Sequence, residues 1–119
     1  MSALDIAKWA KKVNADLGSA VLAIKMELFS GVILATRVDT GRMRGNWQTQ
    51  TGEGIYQEIT RKDKEGGRPI AEAAARVTVN GVDYLTNNVP YAAVWNEQDA
   101  IIDGQIARVE NNIARLIKT

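Results

Sequence analysis

The sequence predicts an α+β domain in which a long N-terminal helix and a C-terminal helix pack against a small antiparallel β-sheet. Three observations carry this prediction. Apolar residues recur at steps of three and four through the first third of the chain, polar and apolar residues alternate in its middle, and a second helical stripe closes it. The 119 residues suit a single domain, 1–119. Within it the long helix is expected over 3–36, the sheet and a short helix over 46–97, and the last helix over 104–118.

In the first element, Ser2 and Asp5 have the spacing of a capping box. Ile6, Ala10, Val13, Leu17, Val21, Ile24, Leu28 and Val32 then form one stripe, and Lys8, Lys11, Lys12, Asp16, Ser19 and Lys25 lie opposite it as a wet face. Such a helix is ~50 Å long at 1.5 Å per residue, and Gly18 costs about 1 kcal/mol inside it. It therefore either bends at Gly18 or projects from the body, and a projecting apolar stripe calls for a partner.

Val38-Asp39-Thr40-Gly41 is a turn signal, after which Trp47, Thr49 and Thr51 alternate with amides as in a half-buried strand. Gly52-Glu53-Gly54 reads as a hairpin connection, with a returning strand over 55–60. The stretch 61–68, holding Arg61, Lys62, Lys64 and Arg68, reads as an exposed, mobile loop because it is dense in charge and glycine. Pro69 opens a short helix that runs to Arg76, and Asn80-Gly81 turns the chain into a central strand over 82–87. Pro90 cannot donate to a ladder, so the chain leaves the sheet there. Asp103 caps the last helix, whose face is Ile106, Val109, Ile113, Leu116 and Ile117.

Composition narrows the chemistry. With no cysteine and no histidine, disulfides, thiolate nucleophiles, the common zinc sites and imidazole acid–base catalysis are all excluded. The 14 acidic residues are scattered without a metal-ligand spacing, so no catalytic residue, metal or cofactor is expected. A net charge of +1 predicts no global attraction to DNA or to an anionic surface. The N-terminus does not read as a signal peptide, and no stretch reads as the ~20 apolar residues that span a bilayer, so no membrane association is expected.

Two segments are unusually dense in signal. In Val38 to Trp47, Asp39 and Thr40 suit local backbone hydrogen bonds, Gly41 suits a positive φ, and Arg42 and Arg44 form either a solvated pair or a fork for a carboxylate or phosphate on a neighbour. The Asp-Thr-Gly of aspartic proteases lacks its apolar strand context and paired carboxylate here, so a hydrolase built on Asp39 is disfavoured. In Tyr84 to Ala92, paired Asn87 and Asn88 suit a strand exit that Tyr91 covers. Trp95 reads as a buried or interface anchor. Lys8, Lys11, Lys12 and the 61–68 loop are the candidate DNA-facing or partner-facing cations. However, Asp63 and Glu65 interrupt the loop and no aromatic is interleaved in it, so a solvated loop is the plainer reading.

At these two segments the chain resembles the tail-completion or neck proteins of long-tailed bacteriophages, also described as minor tail components. That family shows a long helix followed by Val-Asp-Thr-Gly-Arg-x-Arg-x-Asn-Trp, matched by Val38, Asp39, Thr40, Gly41, Arg42, Arg44, Asn46 and Trp47. It then shows Tyr-x-x-Asn-Asn-x-Pro-Tyr-Ala and an acidic residue, matched by Tyr84, Asn87, Asn88, Pro90, Tyr91, Ala92 and Glu97. Beyond Glu97 the match weakens: the family's Gly-x-Ser and Gln-Ala-Pro-like segments are replaced by Gln98 to Gly104, where Ile101 and Ile102 suggest an apolar contact.

The resemblance implies a non-enzymatic virion protein that forms a ring at the head–tail junction or at the head-proximal end of the tail. A hexamer is the first expectation and a dodecamer the second, with tail terminator or stopper as the alternative role. Its partners would be itself, other neck and connector proteins and the tail tube, with genomic DNA passing through the ring without sequence-specific binding. It would assemble in the host cytoplasm and end in the virion. A head-to-tail ring needs two different complementary patches, for which the long helix, the arginine-bearing turn and the 61–68 loop are the candidates. A small nucleic-acid-binding module is the more distant alternative.

Overall fold

The computed structural model describes residues 3–117, with side chains for 17–113. The expectations for Ser2 and for the side chains of Lys8, Lys11, Lys12, Leu116 and Ile117 lie outside the described residues. The elements are α1 (Ala3–Ala35), the one-turn α2 (Arg42–Gly45), β1 (Trp47–Thr51), α3 (Gly67–Arg76), β2 (Asp83–Asn87), α4 (Ala92–Asp99) and α5 (Ile101–Ile117). The fold is α+β, with helices packed on a small antiparallel sheet.

Helix α1 runs through Gly18 without interruption. Val79 packs at that glycine, its methyls 3.5 and 3.7 Å from where a Cβ would stand. The molecule measures 59 × 26 × 21 Å with a radius of gyration of 17.0 Å, against ~13.5 Å for a compact chain of this length. The long axis accommodates the ~50 Å of α1. The core forms around its C-terminal half, where Val32 and Ile33 meet Met43, Trp47, Val89, Ala92 and Ile101. The stripe's Val32 is thus buried, whereas its Leu17 is 58% exposed.

By length and composition, Leu17–Ala35 is apolar enough to cross a membrane, which corrects the expectation that no stretch is. Within the fold, Lys25 and Glu27 in this stretch have partners in other elements. Arg108 of α5 donates to Glu27 Oε2 and to its carbonyl at 3.0 Å each. Lys25, expected on a wet face, donates to the carbonyls of Thr78 and Gly81 and pairs with Asp83 Oδ2 at 2.7 Å. One ammonium thereby fastens the helix to the turn before β2.

The sheet has two strands, β1 and β2, antiparallel in the register Trp47↔Asn87 to Thr51↔Asp83. This overturns the hairpin expected at 52–54, the returning strand at 55–60 and the central placement of the 82–87 strand. The partner of β1 arrives only after α3. Gly52 does turn the chain, with φ 91°, but its N–H donates to Val82 O (2.9 Å). Residues 55–59 lie over the sheet and are held by side-chain amides. Gln48 Nε2 donates to Gln57 O and Asn88 Nδ2 to Ile55 O, each at 2.7 Å, while Ile59 N–H donates to Asn46 Oδ1 at 2.9 Å. Amide groups thus satisfy alternate backbone positions as a neighbouring strand would.

The 61–68 stretch is structured, contrary to expectation. Arg61 donates to Gly45 O (2.6 Å), Trp47 O (2.7 Å) and Glu72 Oε2 (2.9 Å). Asp63 accepts the N–H groups of Glu65, Gly66 and Arg68, supplying the cap for α3. That helix begins at Gly67, so Pro69 is its third residue; it stands in the first turn, where a missing donor is harmless. Helix α4 was not foreseen. Ala100, at φ 49°, breaks it from α5, and Asn96 Oδ1 accepts from Ile102 N–H at 2.9 Å. Asn96 is therefore the cap of α5, and Asp103 stands inside the first turn, where its charge suits the helix dipole. The buried face of α5 is Ile101 and Val109, while Ile106 is 38% exposed. Ile101 belongs to the core and Ile102 packs on it.

Candidate interaction site

The register of the sheet places Trp47 opposite Asn87, the ends of the two dense segments. The segments consequently meet in one corner, and Asn87 Nδ2 donates to Met43 O at 2.7 Å. The corner is built from the end of α1 outward. Thr36 Oγ1 donates to Val32 O (2.8 Å) and accepts from Trp47 Nε1 (2.7 Å). Arg44 closes the same helix end by donating to Leu34 O (2.8 Å) and Thr36 O (2.7 Å), and its other terminal nitrogen reaches Lys64 O (2.7 Å). A helix end leaves carbonyls without intrahelical partners, and a guanidinium is well shaped to satisfy several at once.

The turn itself depends on two glycines. Gly41 adopts φ 86°, and its carbonyl accepts from Gly45 N–H (2.8 Å) and Asp63 N–H (2.9 Å). At Gly45 an added Cβ would stand 2.6 Å from Arg61 O and 2.7 Å from Asp63 N. Asn46, fully buried, donates to Arg42 O (2.8 Å) and Arg61 O (3.1 Å) while accepting from Ile59. The Val38–Trp47 segment is thus the dock into which residues 58–64 fit.

Outside the dock lies a concavity of about 570 Å³ whose lining includes Arg37, Asp39, Arg42, Lys62, Tyr91 and Trp95. Arg37 stacks on Trp95 at 3.9 Å and pairs with Asp99, Nη2 to Oδ1 at 2.7 Å. Arg42 lies 5.5 Å from the Tyr91 ring and pairs with Glu58 through two hydrogen bonds of 2.6 and 2.8 Å. The hydrogen bonds from the guanidiniums hold Asp99 and Glu58 below the usual carboxylate range and raise both arginines. Asp63 is also lowered, chiefly by the Arg68 N–H and then by those of Gly66 and Glu65. Lys62 is exposed, and neither it nor Asp39 has an ion-pair partner among the described residues.

Thr40 Oγ1 accepts the Arg42 N–H (3.2 Å), Asn88 anchors the 55–59 stretch, and Tyr91 lines the concavity. Val38, Asp39, Pro90 and Glu97 are exposed, and Tyr84 sits on the outer face of the sheet, 40% exposed. Arg42 meets its own chain's Glu58, and Arg44 is engaged on backbone carbonyls, so the fork expected to face a neighbour is closed within the subunit. Of the loop cations, Arg61 is internal, while Lys62, Lys64 and Arg68 are exposed. Arg37, Glu58, Asp99 and the Lys25–Asp83 pair were not foreseen, because their partners lie far away in sequence and no local spacing reports them.

Among the described residues no three potential metal ligands cluster. A scan of family models and searches of curated proteins and solved structures find no match for this chain.

Proposed function

We propose that this chain is a structural, self-associating assembly subunit with no chemistry of its own. Within that class we propose a tail-completion or neck protein of a tailed phage, forming a ring, hexameric in the first instance. Tail terminator or stopper is the alternative position in the same connector. The observation that carries the reading is the meeting of the two family-like segments in one corner. Residues 38–47 and 84–92 are separated by almost forty positions, yet they share the Asn87–Met43 hydrogen bond and the Arg42–Tyr91 contact. Interdependent contacts of this kind give a physical reason for both segments to occur together, which supports the resemblance. The elongated shape and the exposed Leu17, Val94 and Ile106 supply surface for copies to cover.

A nucleic-acid module is less well supported, because Arg61, one of the loop's four cations, is turned inward onto backbone carbonyls and Glu72. The test is the mass of the purified chain in solution together with its presence in particles. A discrete ring and a virion-bound copy are expected. A monomer at all concentrations that is missing from particles refutes the reading, and salt-steep DNA binding by that monomer would favour the nucleic-acid alternative.

A further inference from the structure

The turn that fastens α1 to the sheet contains the only Asn-Gly step of the chain, Asn80–Gly81. Close packing requires the glycine, since a Cβ there would stand 2.5 Å from Thr78 Oγ1 and 2.8 Å from Thr51 Cγ2. Its N–H donates to Thr78 Oγ1 and its carbonyl accepts from Lys25 Nζ, each at 3.0 Å. Both ends of the turn are pinned as well. Asp83 Oδ2 accepts the Thr78 N–H, and Val82 O accepts the Gly52 N–H, each at 2.9 Å. Asn80 itself is exposed, and its side-chain amide has no hydrogen-bond partner among the described residues.

Asparagine is chemically labile when the backbone nitrogen of the next residue can reach its side chain. A side chain on that next residue obstructs the approach, and glycine leaves it open. We propose that Asn80 is a site of spontaneous deamidation and isomerisation, and that its conversion slackens the anchor of α1. In the first step Gly81 N bonds to Asn80 Cγ and the Cγ–Nδ2 bond breaks. The side-chain nitrogen leaves as ammonia, carrying the Gly81 amide proton, and a cyclic imide remains. In the second step water opens the imide. Cleavage between Cγ and Gly81 N gives aspartate, whereas cleavage between the Asn80 carbonyl carbon and that nitrogen gives isoaspartate.

The Gly81 N–H must leave Thr78 Oγ1 before the first step, so local openings of the turn pace the reaction. Those openings uncover little, because Val79, Asn80 and Val82 are already exposed. The two products differ in their effect. Aspartate leaves the backbone as it is and adds one exposed charge. Isoaspartate inserts an extra methylene into a backbone pinned at Thr78 and Asp83. Gly81 cannot then keep Thr78 Oγ1, Lys25 Nζ and the Thr51 methyl in place together. Loss of the Gly81 carbonyl leaves the Lys25 ammonium with the Thr78 carbonyl and Asp83 alone, and the tie between α1 and the sheet weakens.

The experiment ages the full chain at mildly alkaline pH, separates the products by charge, and maps them by mass spectrometry with fragmentation that distinguishes isoaspartate from aspartate. Asn80→Gln and Asn80→Asp are carried in parallel. Asn80 should convert ahead of every other asparagine, with isoaspartate the larger product. The isoaspartate fraction should lose about 4 °C or more of thermal midpoint, the loss expected for one hydrogen bond to a charged group. Fresh Asn80→Asp should unfold with the parent, and Asn80→Gln should keep its midpoint through the incubation. Asn80 left intact, or converting no faster than the buried Asn46, overturns the site. An isoaspartate fraction that unfolds with fresh protein, or an Asn80→Asp variant that falls as far, overturns the coupling to α1.

Discussion

Replacing Asp83 by asparagine tests how α1 is tied to the sheet. The carboxylate is 1% exposed and accepts from Lys25 Nζ (2.7 Å), Thr51 Oγ1 (2.6 Å) and the Thr78 N–H (2.9 Å). Burial acts to raise its pKa, but these donors, Lys25 first, outweigh it and bring the value from 3.8 down to about 2. A folded-state pKa below the unfolded one means that the unfolded chain binds the proton first. The linked stability is therefore fully present above about pH 4 and is lost as pH falls toward 2. At 1.36 kcal/mol per pH unit, that loss is about 2 kcal/mol. At pH 7 the asparagine variant leaves the Lys25 ammonium with uncharged acceptors only, the amide oxygen and the Thr78 and Gly81 carbonyls, and breaking a buried pair from one side costs about 3 kcal/mol. Urea unfolding of both proteins at pH 7, 4, 3 and 2 reads the difference, from which the other carboxylates cancel. The gap should be about 3 kcal/mol at pH 7 and should shrink by about 2 kcal/mol between pH 4 and 2. A variant within 1 kcal/mol of the parent at pH 7, with a gap that does not change with pH, refutes the reasoning.

Three further outcomes follow from the corner. Arg44→Ala should destabilise the monomer by about 2–4 kcal/mol, because it strips carbonyls at the end of α1 of a charged donor; chemical denaturation measures this, and a loss confined to assembly would contradict it. Gly45→Ala should cost about 1–3 kcal/mol by overpacking against the backbone of Arg61 and Asp63, and should speed proteolysis within 58–66. Arg37→Ala should leave the unfolding midpoint of the monomer nearly unchanged, since its pair with Asp99 is solvent-exposed, yet should quench or shift Trp95 fluorescence by removing the cation stacked on the ring.

The helices were the legible part of the fold. Over α1 and α5 the apolar spacing is long enough to report helix without reference to anything distant, although the capping of α5 by Asn96 depends on a tight break at Ala100 that no motif announces. The sheet was half legible. Alternation at 55–60 reads as a strand, but the chain bends at Gln57, and alternation does not say which strand, or which set of amides, satisfies a backbone. The charged stretch 61–68 misled for the same reason. Charge density signals solvent only when the partners are water, and Arg61 and Asp63 find theirs in backbone carbonyls and N–H groups, which every sequence possesses and none displays. The two dense segments were visible as separate signals, and their meeting follows from the Trp47↔Asn87 register, a long-range fact.

The corner changes what the two segments can mean for a partner. A residue engaged on its own backbone cannot also be the outward half of an interface, and Arg44, Asn46, Gly41 and Gly45 are all engaged in that way. Their role is to make the end of α1, the start of β1 and the 58–64 stretch one rigid piece. What that rigidity fixes is the position of everything mounted on it: the stacked Arg37 and Trp95, the exposed ammonium of Lys62 and the 55–59 stretch over the sheet. Partner choice would then reside in these mounted groups and tolerance for substitution should be greatest there. The dock itself should tolerate little, because a change in it moves several surfaces at once.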